Sequence, residues 1–212
     1  LDYEDWPRHC NNASNVELST PSLEGIQNVV YVGMGGSGCA GDILSDWSAS
    51  RSDIPVVIVK DCHLPRFVNE RTLVMAVSCS GDTEEALNAA SEGVERGARV
   101  ATVSSGGLLL EFSKKKGIPH TKVPRLRTPR SSFPYLFFPP LRLMIQALAI
   151  EGGPSEVDTA VEAVGEMHSL IRMESSVESN PAKQIANQTS SGVPLIYAAR
   201  SARGVALRFK DS

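Results

Sequence analysis

Residues 28–38 read Asn28-Val29-Val30-Tyr31-Val32-Gly33-Met34-Gly35-Gly36-Ser37-Gly38. The first five are β-branched or aromatic apart from Asn28, which suits a fully buried strand, and Gly33 ends the run. The Gly/Ser cluster then opens a segment of helical character over 37–49. A strand passing through a glycine-rich turn into a helix is the repeating unit of a parallel α/β sheet. The same pattern returns at Leu73-Val74-Met75-Ala76-Val77, which runs into Ser78-Cys79-Ser80-Gly81-Asp82-Thr83 before Glu84-Glu85-Ala86-Leu87 begins a helix. In a parallel sheet both turns lie at the carboxyl ends of strands, beside helix N-termini. Unbonded N–H groups and the positive end of the helix dipole draw anions there. Glycine lets backbone approach a ligand closely, and Ser and Thr hydroxyls add neutral donors. Two such turns meeting in one crevice point to a small phosphorylated ligand.

Working outward, strands and helices alternate. A short helix is expected over 5–13, strands over 55–60, 73–78, 99–104 and 118–123, and helices over 83–96 and from Gly107 through Lys116. Nearly continuous Val/Ile/Leu strands indicate a sheet covered on both faces, with right-handed crossovers that bring the Gly/Ser turns to one edge. The fold class expected is therefore α/β, a doubly wound parallel sheet with flanking helices in three α/β/α layers. After Val123 the chain changes character. Pro124, Pro129, Pro134, Pro139 and Pro140 mark an irregular stretch holding Arg125, Arg127 and Arg130, followed by a helix over 141–150. Gly152-Gly153-Pro154 breaks the chain before a long amphipathic helix over 155–175. A helix over 180–186, a strand over 193–198 and a helix from Ser201 then repeat the opening in outline. One strand and two helices cannot bury both faces of a parallel sheet, so this last unit is expected to be incomplete. The organisation expected is a lead-in over 1–24, a first domain over 25–153, a connecting helix over 154–179 and the start of a second domain over 180–212.

Bulk properties narrow the classes. The chain has 212 residues, 42% apolar and 21% charged, with a formal net charge of −3. That charge gives no electrostatic case for nucleic acid or for an anionic membrane as partner. No apolar run approaches the roughly 20 residues needed to span a bilayer. The acidic start, Leu1 to Trp6, has no signal-peptide character, and it lacks an initiating Met. The four cysteines and four histidines are scattered without metal-site spacing. Reduced thiols, a cytoplasmic location and no metal are expected.

Gly33 to Gly38 also fits GxGxxG, the dinucleotide fingerprint, with Asp53 or Asp61 as the acidic residue for a ribose. Asp53 precedes the second strand instead of ending it, Asp61 follows Lys60, and this reading leaves the 78–83 turn without a role. The bland alternatives are that Ser37 and Thr83 are helix N-caps, that Glu84 and Glu85 complement a dipole, and that Arg130 is one solvated arginine among three.

The two turns, with Gly41-Asp42 after the first and Glu84-Glu85 after the second, resemble the phosphate loops of sugar isomerase (SIS) domains. Pro129-Arg130-Ser131-Ser132-Phe133-Pro134-Tyr135-Leu136 and Asn180-Pro181-Ala182-Lys183 narrow the resemblance to the bifunctional phosphoglucose/phosphomannose isomerases. It runs in order across nearly the whole chain. It implies that Gly36, Ser37, Ser78, Ser80 and Thr83 hold the 6-phosphate of a sugar, and that Arg130 stabilises the negative charge of a cis-enediol(ate) intermediate. The reaction implied interconverts glucose 6-phosphate or mannose 6-phosphate and fructose 6-phosphate, with no cofactor. A homodimer is implied as well. The family's base is a Glu just beyond a segment that Arg208-Phe209-Lys210 resembles, and its ring-opening His and late Lys come later still. No Glu or His of this sequence matches those positions. The phosphate site and the charge-stabilising arginine are thus expected here without the acid–base groups, in a chain with no turnover. A binding-only SIS module is the alternative, and a nicotinamide-dependent enzyme the third class.

Overall fold

The computed structural model describes residues 3–128 and 130–210, the side chain of Arg200 excepted. Leu1, Asp2, Pro129, Asp211 and Ser212 lie outside the described residues. With them go the ends of the expected first and last segments and the first residue of the 129–136 run.

Five strands form one parallel sheet: β1 (Asn28–Val32), β2 (Val56–Val59), β3 (Thr72–Ser78), β4 (Arg99–Ser104) and β5 (His120–Lys122). Their spatial order is β2-β1-β3-β4-β5. The chain starts at β1, steps to β2 on one side and returns past β1 to β3 on the other. Strand order therefore reverses between β1 and β3, where Val32 pairs with Ala76. The crevice outside the carboxyl ends of strands at such a reversal is where open α/β sheets bind ligands.

Side-chain alternation divides the core into two layers. Val29, Tyr31, Leu73, Met75, Val77, Ala101 and Val103 face one side, against α1 (Trp6–Ser14), α2 (Gly35–Ser48), α5 (Phe133–Ala147) and α6 (Gly153–Leu170). Val30, Val32, Val74, Ala76 and Val100 face the other, against α3 (Glu84–Glu95) and α4 (Gly107–Lys116). All seven residues of β3 are buried, and burying a Leu or Met of this kind contributes about 1.5–3 kcal/mol. The expected three-layer α/β/α sheet is what the chain forms.

Two expectations need correction. The stretch expected to be irregular up to a helix at 141 is helical from Phe133, with Pro139 and Pro140 inside α5. Pro134 sits in the first turn, where no N–H is needed. Pro140 has no N–H for the carbonyl of Leu136, and that carbonyl has the buried Tyr31 hydroxyl at 3.3 Å instead. Burial on nearly every side holds the helix through both prolines. The strand expected at 193–198 is an irregular run that pairs with no strand among the described residues. Its Val193 and Tyr197 are each 87% exposed. It connects α7 (Pro181–Thr189) to α8 (Arg203–Lys210).

α8 lies on α2. Gly204 makes the approach possible, since a β-carbon there would stand 2.5 Å from the backbone N of Ile43. The Gly204 N–H donates to Asp46 Oδ2 at 2.5 Å, and Arg203 pairs with Asp42 and Asp46 at 3.5 and 3.4 Å. Among the described residues no helix is long and apolar enough to cross a membrane.

Candidate functional site

The two Gly/Ser turns stand side by side at the strand-order reversal. Met34, Gly35, Gly36 and Ser37 of the first, and Cys79, Ser80 and Thr83 of the second, line a cleft of about 340 Å³ with Arg125 and Leu136. Ser37 and Ser80 thus face the same space.

In the first turn, Ser37 and Gly38 N–H both bond to Met34 O, at 3.0 and 3.2 Å. The N–H groups of Gly35 and Gly36 come before the first helical bond of α2 and have no helical acceptor. Tyr31 O–H donates to Ser37 O at 3.0 Å and fixes the turn from below. In the second turn, Leu87 N–H on Thr83 O is the first bond of α3, so the N–H groups of Glu84, Glu85 and Ala86 have no helical acceptor. Ser80 Oγ accepts from Asp82 N–H at 3.1 Å, which leaves its own proton to donate.

The acceptors of the second turn, which would repel an anion, are tied down on the far side. Cys79 O takes Ser105 N–H, Gly81 O takes Leu109 N–H, and Asp82 Oδ1 takes Leu108 N–H at 3.1 Å. Asp82 therefore serves the N-terminus of α4 and not the cleft. The turn fits against Gly106 so closely that a β-carbon on Gly81 would lie 1.8 Å from Gly106 O.

Ser78 takes a different place from the one its motif implies. It is buried, its Oγ accepts from Gly81 N–H at 3.0 Å and pairs with Thr83 Oγ1 at 2.7 Å, and it is absent from the cleft lining. Its hydroxyl shapes the turn and aims Thr83.

A second cleft of about 550 Å³ adjoins the first and shares Gly35 and Gly36 with it. Tyr3, Cys39, Thr128, Arg130 and Arg208 complete its wall. Arg208, from α8, stacks its guanidinium 4.8 Å from the centre of the Phe133 ring. Arg125 and Arg130 come from the stretch between β5 and α5, where the hydroxyls of Thr128, Ser131 and Ser132 bond to one another and to the backbone. Ser132 Oγ accepts from Leu126 N–H and Ser131 Oγ from Thr128 N–H, both at 3.0 Å, and Thr128 Oγ1 meets Ser131 Oγ at 2.9 Å. Sequence reasoning missed Arg125 and Arg208. The reversal in strand order and the lie of α8, neither readable from spacing, bring them in. No carboxylate and no imidazole lines either cleft among the described residues. No group of three or more His, Cys, Asp or Glu among them stands where it could hold a metal. Asp61, the alternative ribose ligand, accepts instead from Cys62 N–H at 2.5 Å.

Comparison with known proteins fits this geometry. The bifunctional phosphoglucose/phosphomannose isomerase of Caldicellulosiruptor bescii is 33% identical over 174 residues, 82% of this chain and 51% of that protein. That of Thermoplasma acidophilum is 37% identical over 183 residues, 86% of this chain and 53% of that protein. Over the matched stretch, this chain belongs to the bifunctional phosphoglucose/phosphomannose isomerase family. It spans about half the length of these two relatives. A D-glucosamine-6-phosphate 4-epimerase of Sulfolobus acidocaldarius is also similar, 29% identical over 210 residues, 99% of this chain and 63% of that protein. In fold, the chain matches a candidate phosphosugar isomerase of Clostridium difficile 630 with a TM-score of 0.63 at 16% identity, over 90% of this chain and 56% of that one. No protein-family model matches the sequence.

Proposed function

We propose that this chain carries the phosphate-binding half, and the charge-stabilising arginine, of an aldose–ketose isomerase acting on glucose 6-phosphate or mannose 6-phosphate and fructose 6-phosphate. The observation that carries the reading is the meeting of Gly36, Ser37, Ser80 and Thr83 in one cleft at the β1/β3 reversal. Gly36 N–H and the hydroxyls of Ser37, Ser80 and Thr83 hold the phosphoryl oxygens, helped by two helix dipoles. Ser78 acts one step back, through the turn. The adjoining cleft takes the sugar carbons. There Arg130, always cationic and planar, stabilises the oxyanion that develops when a proton leaves C2 and is returned to C1 through a cis-enediol(ate).

Such a transfer needs a base beside the carbon. Neither cleft has one among the described residues, so no residue here is assigned the acid–base role. By its resemblance, 180–212 is read as part of a second unit of the same kind, in a homodimer. The lack of a carboxylate or imidazole in either lining, among the described residues, favours one second reading, a module that binds sugar phosphates without turning them over.

Thermal-shift measurements with inorganic phosphate, fructose 6-phosphate and NAD test the site. Stabilisation by the two phosphates, with weak affinity of about millimolar order, is expected. Stabilisation by NAD alone would overturn the reading. With fructose 6-phosphate coupled to glucose-6-phosphate dehydrogenase, no NADPH is expected. Sustained NADPH production would show that this chain holds its own base.

A further inference from the structure

We infer that Arg125 is the counter-charge of the phosphoryl end of the cleft, a specificity residue for dianionic ligands. The inference rests on the phosphate reading above and deepens it. Apart from Arg125 the lining of that cleft is neutral: glycine N–H groups, four side chains with O–H or S–H, and the apolar Met34 and Leu136. A phosphoryl group carries about −1.5 to −2 charges at pH 7. Neutral donors alone leave most of that charge uncompensated.

Arg125 is the one cation in this wall, and its guanidinium has no ion pair or hydrogen bond among the described residues. The acids nearest the second turn do not compete for it. Asp82 is bonded to Leu108 N–H at the start of α4, and Glu84 and Glu85 stand near Cys62, at the turn after β2. The backbone beside Arg125 is nonetheless fixed, because Leu126 N–H is held by the buried Ser132 Oγ. An unpaired planar donor on an anchored backbone suits recognition of a tetrahedral anion. Arg130 of the same stretch lines the neighbouring cleft, so the stretch gives one arginine to the phosphoryl end and another to the carbon end of a ligand lying across Gly35 and Gly36.

Titration of the chain with inorganic phosphate, followed by phosphorus NMR at low and at high sodium chloride, tests the inference. Arg125→Ala is expected to weaken phosphate binding about tenfold at low salt and much less at high salt, because an exposed charge is screened. Arg125→Lys recovers most of the loss. Arg127→Ala, two residues along and in neither cleft, binds as the parent does. The inference falls if Arg125→Ala matches the parent at low salt while Ser80→Ala binds more weakly, or if lysine restores nothing; the phosphate site itself survives both results. If the parent chain shows no phosphate binding, the site reading falls and the inference with it.

Discussion

Gly81 holds a φ of +85° with its α-carbon hydrogen turned toward Gly106 O, where a β-carbon would come within 1.8 Å. Both the backbone conformation and the space demand glycine. Gly81→Ala is expected to lower stability by about 2–4 kcal/mol in urea unfolding, and to abolish phosphate binding in whatever fraction folds. Beneath the same turn lies a polar network: His120 Nδ1 meets Thr102 Oγ1 at 2.8 Å, Thr102 meets Ser113 at 2.7 Å, and Ser104 Oγ donates to Gly106 O at 2.7 Å. Burial, aided by Lys114 and Lys122, holds the His120 pKa below its usual value. The unfolded chain then takes up that proton more readily than the folded one. This stability is fully present above the unfolded value of about 6.5 and drains away as pH falls below it. His120→Gln is expected to flatten the decline between neutral and mildly acidic pH in thermal melts; an unchanged slope would assign the acid sensitivity elsewhere.

Among the elements, Tyr31 on β1 links the first turn to α5. Tyr31→Phe strips the hydroxyl from Ser37 O and Leu136 O, and a loss of about 1–2 kcal/mol is expected. The phosphate shift should weaken with it if the turn loosens. This link also explains what the sequence conceals. The strands are legible because apolar runs ending in glycine or serine have few other ways to be buried. α5 is not, because prolines at 139 and 140 read as breakers, and the groups that compensate for them lie more than a hundred residues away. The apolar run at 193–198 has strand composition, but a strand exists only where a neighbour accepts its hydrogen bonds. The cleft is legible in part. Ser37, Ser80 and Thr83 follow from their turns, whereas Arg125 shares its proline-rich stretch with Arg127 and Arg130 and only the folded loop tells the three apart.

At the scale of the whole molecule, the four cysteines are natural probes of the site. Cys79 lines the cleft between the two Gly/Ser turns and is partly exposed, whereas Cys10 is buried and its thiol pKa pushed up to about 12 by that burial. Phosphate is expected to slow alkylation of Cys79 by maleimide and to leave the partly exposed Cys62, outside both clefts, at its original rate. Mass spectrometry of the labelled peptides reads both sites at once; equal slowing at the two would point to a general tightening and not to occupancy.

The reversal between β1 and β3 has one more consequence. The hydroxyl-lined turns sit on neighbouring strands, yet the stretch from β1 to β3 must complete an excursion through β2 before the second turn arrives. No peptide ending before Thr72 can clasp an anion with both hands. The proposed capture of a ligand would therefore be born of long-range strand pairing, and a chain that is only half assembled would be blind to it.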